Sequence, residues 1–231
     1  MSADLASHAP LLPTAGAMQL WLHLGWSVVL AWLAAWWVPR RPWLAALLAA
    51  LWAWAPGAYS PAYWLGLAFQ APSVATVLLC AGGLAAWAAQ RFAPCPPPAA
   101  QAPPGTEQNA VPPRRLADRR VLALAGLGAL AGWVLLLDTF ALLSAPIYAW
   151  GFSPLAVGLI ALVAVLPWAW GPAGGTAQGW RLAVVPLAVL VFVVWRLPGG
   201  NVWDAVLDPW LWLALQVQLA RMVLNCYKKR S

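Results

Sequence analysis

Gln90 to Arg120, QRFAPCPPPAAQAPPGTEQNAVPPRRLADRR, is the one long stretch of this chain that cannot enter a membrane. It is rich in proline, shows no apolar period, and carries five arginines: Arg91, Arg114, Arg115, Arg119 and Arg120. Such composition reads as an irregular or polyproline-II linker. Long, nearly uncharged apolar sequence lies on both sides of it. The bilayer face that holds 90–120 therefore sets the topology of everything else.

Composition decides the class. The chain has 231 residues, 63% hydrophobic and only 8% charged, against about 25% charged in an average soluble domain. Six acidic and thirteen basic side chains cannot cover the surface of a soluble fold of this size. A net charge of +7 raises the question of nucleic acid, but the basic residues sit in short clusters between apolar runs. That is the pattern of positive-inside loops, not of a nucleic-acid surface. The nineteen tryptophans also fit a membrane, because indole favours the water–lipid interface. Arginine outnumbers lysine eleven to two, and alanine, proline and tryptophan are frequent. This bias points to a GC-rich bacterial genome and so to a bacterial inner (plasma) membrane.

Taken in order, Met1–Ala17 carries a single charge, Asp4, and lacks the basic n-region of a cleaved signal peptide. Met18–Val38 is long enough to span a hydrocarbon core of roughly 30 Å, and Arg40 and Arg41 follow it at once. Trp43–Ala55 is short for a span. Tyr63–Ala89 forms a third segment, with a kink expected at Gln70–Ser73 because Pro72 frees a carbonyl. After the linker, Val121–Leu143, Leu155–Trp170, Leu182–Trp195 and Pro209–Cys226 are the fourth to seventh segments, the last followed by a basic tail. With the N-terminus outside and the C-terminus cytoplasmic, twelve of the thirteen basic residues fall on the cytoplasmic side, Arg196 being the exception. The expectation is an all-α polytopic bundle of about seven transmembrane helices, or six if 43–55 does not cross. It divides into 1–89 with helices 1–3, the cytoplasmic linker 90–120, and 121–231 with helices 4–7.

Ionisable groups in a bilayer cost about 2.5–3.5 kcal/mol each on insertion scales, so each needs a reason. His23 has no second buried histidine with which to hold haem or a metal, and reads as a hydrogen-bonded structural group. Asp138 lies near the outer end of its segment, at a depth similar to Arg196. The structural reading is an ion pair that settles how two helices meet. The functional reading is a polar site at the outer face built from Asp138, Arg196, Asp204 and Asp208, with Tyr63 and Tyr148 beside it. Those tyrosines lie in two similar turns, Pro61-Ala-Tyr63-Trp-Leu-Gly66 and Pro146-Ile-Tyr148-Ala-Trp-Gly151. They read either as a degenerate repeat or as interfacial turns. Gly128 and Gly132 form a GxxxG pair that lets another backbone approach closely. Arg221 reads as snorkelling to the headgroups. Cys80, Cys95 and Cys226 have no metal or disulfide spacing.

No GxSG, HExxH, Walker or GxGxxG motif is present, Glu107 is the single glutamate, and the last segment lacks the mid-span lysine of a retinal protein. No cofactor is expected. Three function classes follow. The first is a non-enzymatic accessory or scaffold subunit, whose partners are the bilayer and another membrane or cytoplasmic protein reached through 90–120. The second is a small-solute or ion transporter using Asp138 and Arg196. The third is a membrane enzyme acting on a lipid-linked substrate with Asp138, Asp204 or Asp208. The accessory reading leads.

Overall fold

The computed structural model describes residues 12–92, 114–169 and 176–228. The middle of the linker with Cys95, and the basic tail beyond Lys228, lie outside the described residues. Within them the chain is all helical, with no strand: α1 (Ala15–Trp37), α2 (Pro42–Trp52), a 3-10 turn (Gly57–Tyr59), α3 (Pro61–Phe69), α4 (Val74–Phe92), α5 (Arg114–Thr139), α6 (Ile147–Trp150), α7 (Pro154–Ala169), α8 (Thr176–Trp195), α9 (Val202–Val206) and α10 (Pro209–Lys228). Ala15–Trp37, Val74–Arg91 and Arg120–Thr139 are long and apolar enough to cross a membrane. Pro42–Trp52, Pro154–Pro167 and Trp180–Trp195 are shorter apolar helices.

Six of the helices begin where short polar side chains take up free N–H groups. Thr14, Ser60, Ser153 and Asn201 accept from Ala17, Ala62, Ala156 and Trp203. Ser73 accepts from Thr76, and Asp208 from Leu211. At three of these sites, 60–61, 153–154 and 208–209, proline follows the cap, which costs nothing because the first helical N–H has no partner anyway. α1 stops at Val38 because Pro39 forces the residue before it out of the helical region.

Contacts between helices set their directions. The tight turn at 38–41 folds α2 back on α1, and Ser27 Oγ lies 3.3 Å from the Ala50 carbonyl. α4 runs parallel to α1: Gly25 packs on Val77 and Gly83 on Trp32. α8 is antiparallel to α4, since Gly82 meets Trp180 at one end while Val74 clusters with Ala188 and Phe192 at the other. α5 and α10 are antiparallel, with Gly128 against Leu215 and Gly132 against Trp212. The bundle thus has two unlike ends. A basic end holds the Arg40/Arg41 turn, Arg91, Arg120, Arg181 and Arg221. A capped end holds 53–73, 138–153 and 196–209.

Two small-residue cores hold the bundle. One joins α4, α7, α8 and α9 through Ala75, Ala156, Ala188, Phe192 and Ala205. The other joins α1 to α4 through Trp26, Ala53, Ala62 and the buried Cys80. Large aromatic and aliphatic side chains face outward, with Trp36, Trp37 and Trp43 exposed near the basic end and Tyr59 and Trp64 near the other. Lipid-facing belts have this appearance.

Several boundaries differ from the expectation. The kinked third segment is two helices: Gln70 takes a left-handed conformation, with φ of 62°, and the chain restarts at Val74. α5 begins at Arg114, so the last turns of the expected linker are helical. α8 likewise begins at Thr176, ahead of the expected start at Leu182, and α9 lies between the sixth and seventh expected segments.

At Gly128 and Gly132 the partner is not a close backbone but side chains of α10. The Trp212 indole sits over Gly132, donates to the Ala129 carbonyl at 3.1 Å, and meets Trp133 edge-on at 5.1 Å. The Gln216 amide oxygen, turned toward them, lies 3.0 Å from Trp212 Nε1 and 3.1 Å from Trp133 Nε1.

This packing predicts opposite responses at two glycines of one helix. A Cβ on Gly132 would run into the Trp212 indole, whereas one on Gly126 meets nothing within 4 Å. Gly132→Ala should lose about 1–3 kcal/mol through overpacking. Gly126→Ala should be neutral or gain up to ~1 kcal/mol of helix propensity. Thermal melts of both variants in detergent check the pair.

Candidate functional site

Three connections meet at the capped end: 70–73, 138–153 and 196–208. Asp138, at the end of α5, accepts from the Tyr148 backbone N–H at 2.7 Å and so fixes the start of α6. The Tyr148 carbonyl accepts from Asn201 Nδ2 at 2.9 Å, and Asn201 Oδ1 accepts from the Trp203 N–H at 3.0 Å. Trp203 Nε1 donates to the Ile147 carbonyl at 3.1 Å, and the Val202 N–H to the Gly151 carbonyl at 3.0 Å. Asn201 is wholly buried. A Cβ at Gly151 would fall on its Oδ1, so only glycine leaves room for this contact.

Asp208 ties a second pair of elements. One carboxylate oxygen caps α10 through the Leu211 N–H at 2.7 Å. The other accepts from the Ser73 N–H at 2.8 Å, at the start of α4. Two helix N-termini, each the positive end of a helix dipole, therefore share one negative charge. The carbonyls exposed by the break before α4 are met from α1: Trp26 Nε1 donates to Gln70 O and Trp21 Nε1 to Pro72 O, each at 3.0 Å.

Between these ties opens a cavity of about 760 Å³. His23, Tyr63 and Gln70 line one side, and Tyr148, Asp204 and Asp208 the other. The Tyr148 hydroxyl donates to the Asp204 carboxylate, 3.1 Å from each oxygen. Both residues lie in short helices outside the long apolar ones. Burial raises the Asp204 carboxyl above its usual range, with the Tyr148 hydrogen bond opposing the shift. Burial, reinforced by the Asp204 charge and the hydrogen bond to it, pushes the Tyr148 phenol up to about 12. At neutral pH the phenol keeps its proton and stays a donor. Gly199 approaches Asp204 so closely that a Cβ there would lie 2.6 Å from Oδ2.

Four of the six residues expected at an outer polar site, Tyr63, Tyr148, Asp204 and Asp208, thus face one cavity. Asp138 stands behind it as a support for Tyr148. Arg196 is not part of it. Its backbone is left-handed, with φ of 57°, and its guanidinium lies over the Phe192 ring, 5.2 Å from the centroid. Among the described residues no ion pair joins Arg196 to Asp138, Asp204 or Asp208, so the expected Asp138–Arg196 pair is replaced by a backbone bond and a cation–π contact. His23 uses Nδ1 to reach the Gln19 carbonyl at 3.0 Å and lies against Trp54. The two P-x-Y-x-x-G turns share the cavity but not their packing, for Gly66 meets Leu22 where Gly151 meets Asn201.

Sequence reading missed Asn201 and Ser73. Asn201 follows a Gly-Gly pair and precedes an acidic first turn, which is a legible helix-start signal. Nothing local marks Ser73 as the partner of a carboxylate 135 residues away. No group of three or more metal-ligating side chains occurs among the described residues. The chemistry on offer is a carboxylate, a phenol donor and aromatic faces around a space of ligand size.

Fold and site together define an all-helical chain, among its described residues, with three helices long and apolar enough to cross a membrane and, at one end of its bundle, a cavity lined by aromatic, apolar and carboxylate side chains. No protein-family model, curated protein or solved structure matches the chain.

The raised Asp204 carboxyl predicts a pH dependence. A group whose folded pKa lies above its unfolded value favours the fold fully below the unfolded value, here 3.8, and loses that contribution as pH rises through the folded one. Asp204→Asn should therefore melt higher than the parent at neutral pH. The gap should close as pH falls toward 3.8, and melting curves of both proteins across that range test it.

Proposed function

We propose that the chain is a bacterial inner-membrane protein whose helices α1, α2, α4, α5, α7, α8 and α10 enter the bilayer in alternating directions. The basic end lies in the cytoplasm and the capped end outside. Support comes from the directions set by packing, and from the segregation of Arg40, Arg41, Arg91, Arg120, Arg181 and Arg221 from Asp138, Asp204 and Asp208. α2, at 11 residues and ~16 Å, is too short to cross alone. The 3-10 turn and α3 complete its path to the outer face.

Its role is that of a non-enzymatic accessory or scaffold subunit. One observation carries this reading: the polar groups at the outer end are used to hold the fold. Asp138 and Asp208 are bonded to backbone N–H groups of Tyr148, Ser73 and Leu211. A lipid-linked enzyme reading has the least support, since Asp138 and Asp208 are engaged by backbone N–H groups and Asp204 alone is left as a candidate acid or base. The cavity favours a second reading, a small-solute transporter, with its centre moved from Asp138 and Arg196 to Tyr148 and Asp204.

Purification of the tagged protein from its native membrane in mild detergent, with mass spectrometry of its companions, separates the two. A subunit brings a stoichiometric partner that survives washing. A monodisperse protein alone contradicts the subunit reading and favours transport.

A further inference from the structure

The cavity has an apolar neighbour. Below it, along α1, α4 and α10, runs an almost wholly apolar groove of about 460 Å³, lined by Trp26, Leu30, Leu33, Leu79, Trp210 and Ala214. The two spaces share no lining residue but adjoin on three elements. On α1, Leu22 of the cavity and Trp26 of the groove are one turn apart on the same face. At the break before α4, Ala71 lines the cavity and Pro72 the groove, and at the start of α10 Pro209 lines the one and Trp210 the other. Phe69, in the cavity wall, packs edge-on against Trp210 in the groove at 4.8 Å.

The shape is that of a headgroup chamber above a chain slot. From Trp26 to Leu33 the slot follows α1 for ~10 Å, at 1.5 Å per residue. Among the described residues no lysine or arginine lines the chamber, while Asp204 and Asp208 do, and Tyr63, Phe69 and Tyr148 present aromatic faces. Both tyrosines are 43% exposed and so within reach of a ligand. Carboxylates with aromatic faces recognise an ammonium group through charge and cation–π attraction. The chamber volume lies within the usual 300–1,000 Å³ of small-molecule sites.

We propose that the chamber and groove together bind one membrane amphiphile with an ammonium headgroup, the headgroup against Asp204, Asp208 and the aromatic wall, one acyl chain in the groove. The proposal rests on the membrane placement given above, with the capped end at headgroup depth. It holds whether the protein is a subunit or a transporter.

The test uses the full-length protein, delipidated in detergent and titrated with phosphatidylethanolamine or phosphatidylglycerol of identical chains. Bound lipid is counted by native mass spectrometry. The two lipids share the phosphate and differ in the ammonium. One phosphatidylethanolamine should bind at least ~10-fold more tightly than phosphatidylglycerol, a difference of about 1.4 kcal/mol. Free ethanolamine should not bind in the same range. Asp204→Asn, which keeps the shape, should abolish the preference, and Ala214→Trp, which fills the groove, should abolish binding of the ethanolamine lipid. Equal binding of the two lipids by the parent, or a preference undiminished in Asp204→Asn, overturns the proposal. Binding of free ethanolamine as tight as that of the lipid, or undiminished binding by Ala214→Trp, overturns its chain-slot half. Because the lipids are added to isolated protein, these outcomes are independent of whether a protein partner is recovered.

Discussion

Breaking a helix at the edge of a bilayer exposes backbone N–H and C=O groups that neither lipid nor the helix itself can satisfy. This chain breaks repeatedly at one end, and the rest of the structure depends on how those breaks are closed. Asp208 receives the N–H of Ser73 and the N–H of Leu211 on one carboxylate, binding the starts of α4 and α10. Trp21 and Trp26 cover the carbonyls of Pro72 and Gln70 from α1. Asn201 joins the Tyr148 and Trp203 backbones. With these few side chains the loops become a fixed cap, and a cavity remains where the cap does not quite meet α1 and α3.

The bundle below is held by fit more than by hydrophobic force, which is weak between helices surrounded by lipid. Small residues let large ones seat: Gly82 receives Trp180, Gly83 receives Trp32, and Gly132 receives Trp212. Tryptophan thus has two uses here. Some indoles face outward at the two ends, while Trp21, Trp26, Trp203 and Trp212 are internal donors that spend their N–H on backbone carbonyls.

The membrane class, the long apolar helices and the break near Pro72 were all legible, because each rests on a run of composition or a single strong residue. The capped end was legible only in part. Tyr148 and Asp204 stood out as polar groups near a common depth, and the structure brings them to 3.1 Å. Arg196 stood out equally, yet its left-handed backbone turns it onto Phe192. Depth in a bilayer can be read from sequence, but azimuth around a short loop cannot. α3, α6 and α9, with nine, four and five residues, are too short to show a period. Their caps were nonetheless written in the sequence, in Ser60-Pro61 and Asn201. The Asp208–Ser73 tie links segments far apart in the chain and leaves no local signature.

Everything about function here depends on the capped end facing outward and the basic end inward. The direct measurement is labelling of single cysteines, introduced at Ala58 and at Gln101 in a cysteine-free background, with a membrane-impermeant maleimide on intact spheroplasts. Position 58 should react from outside, and position 101 only after the membrane is permeabilised. Labelling of position 101 in intact cells, with protection of 58, would contradict the topology and the external cavity with it.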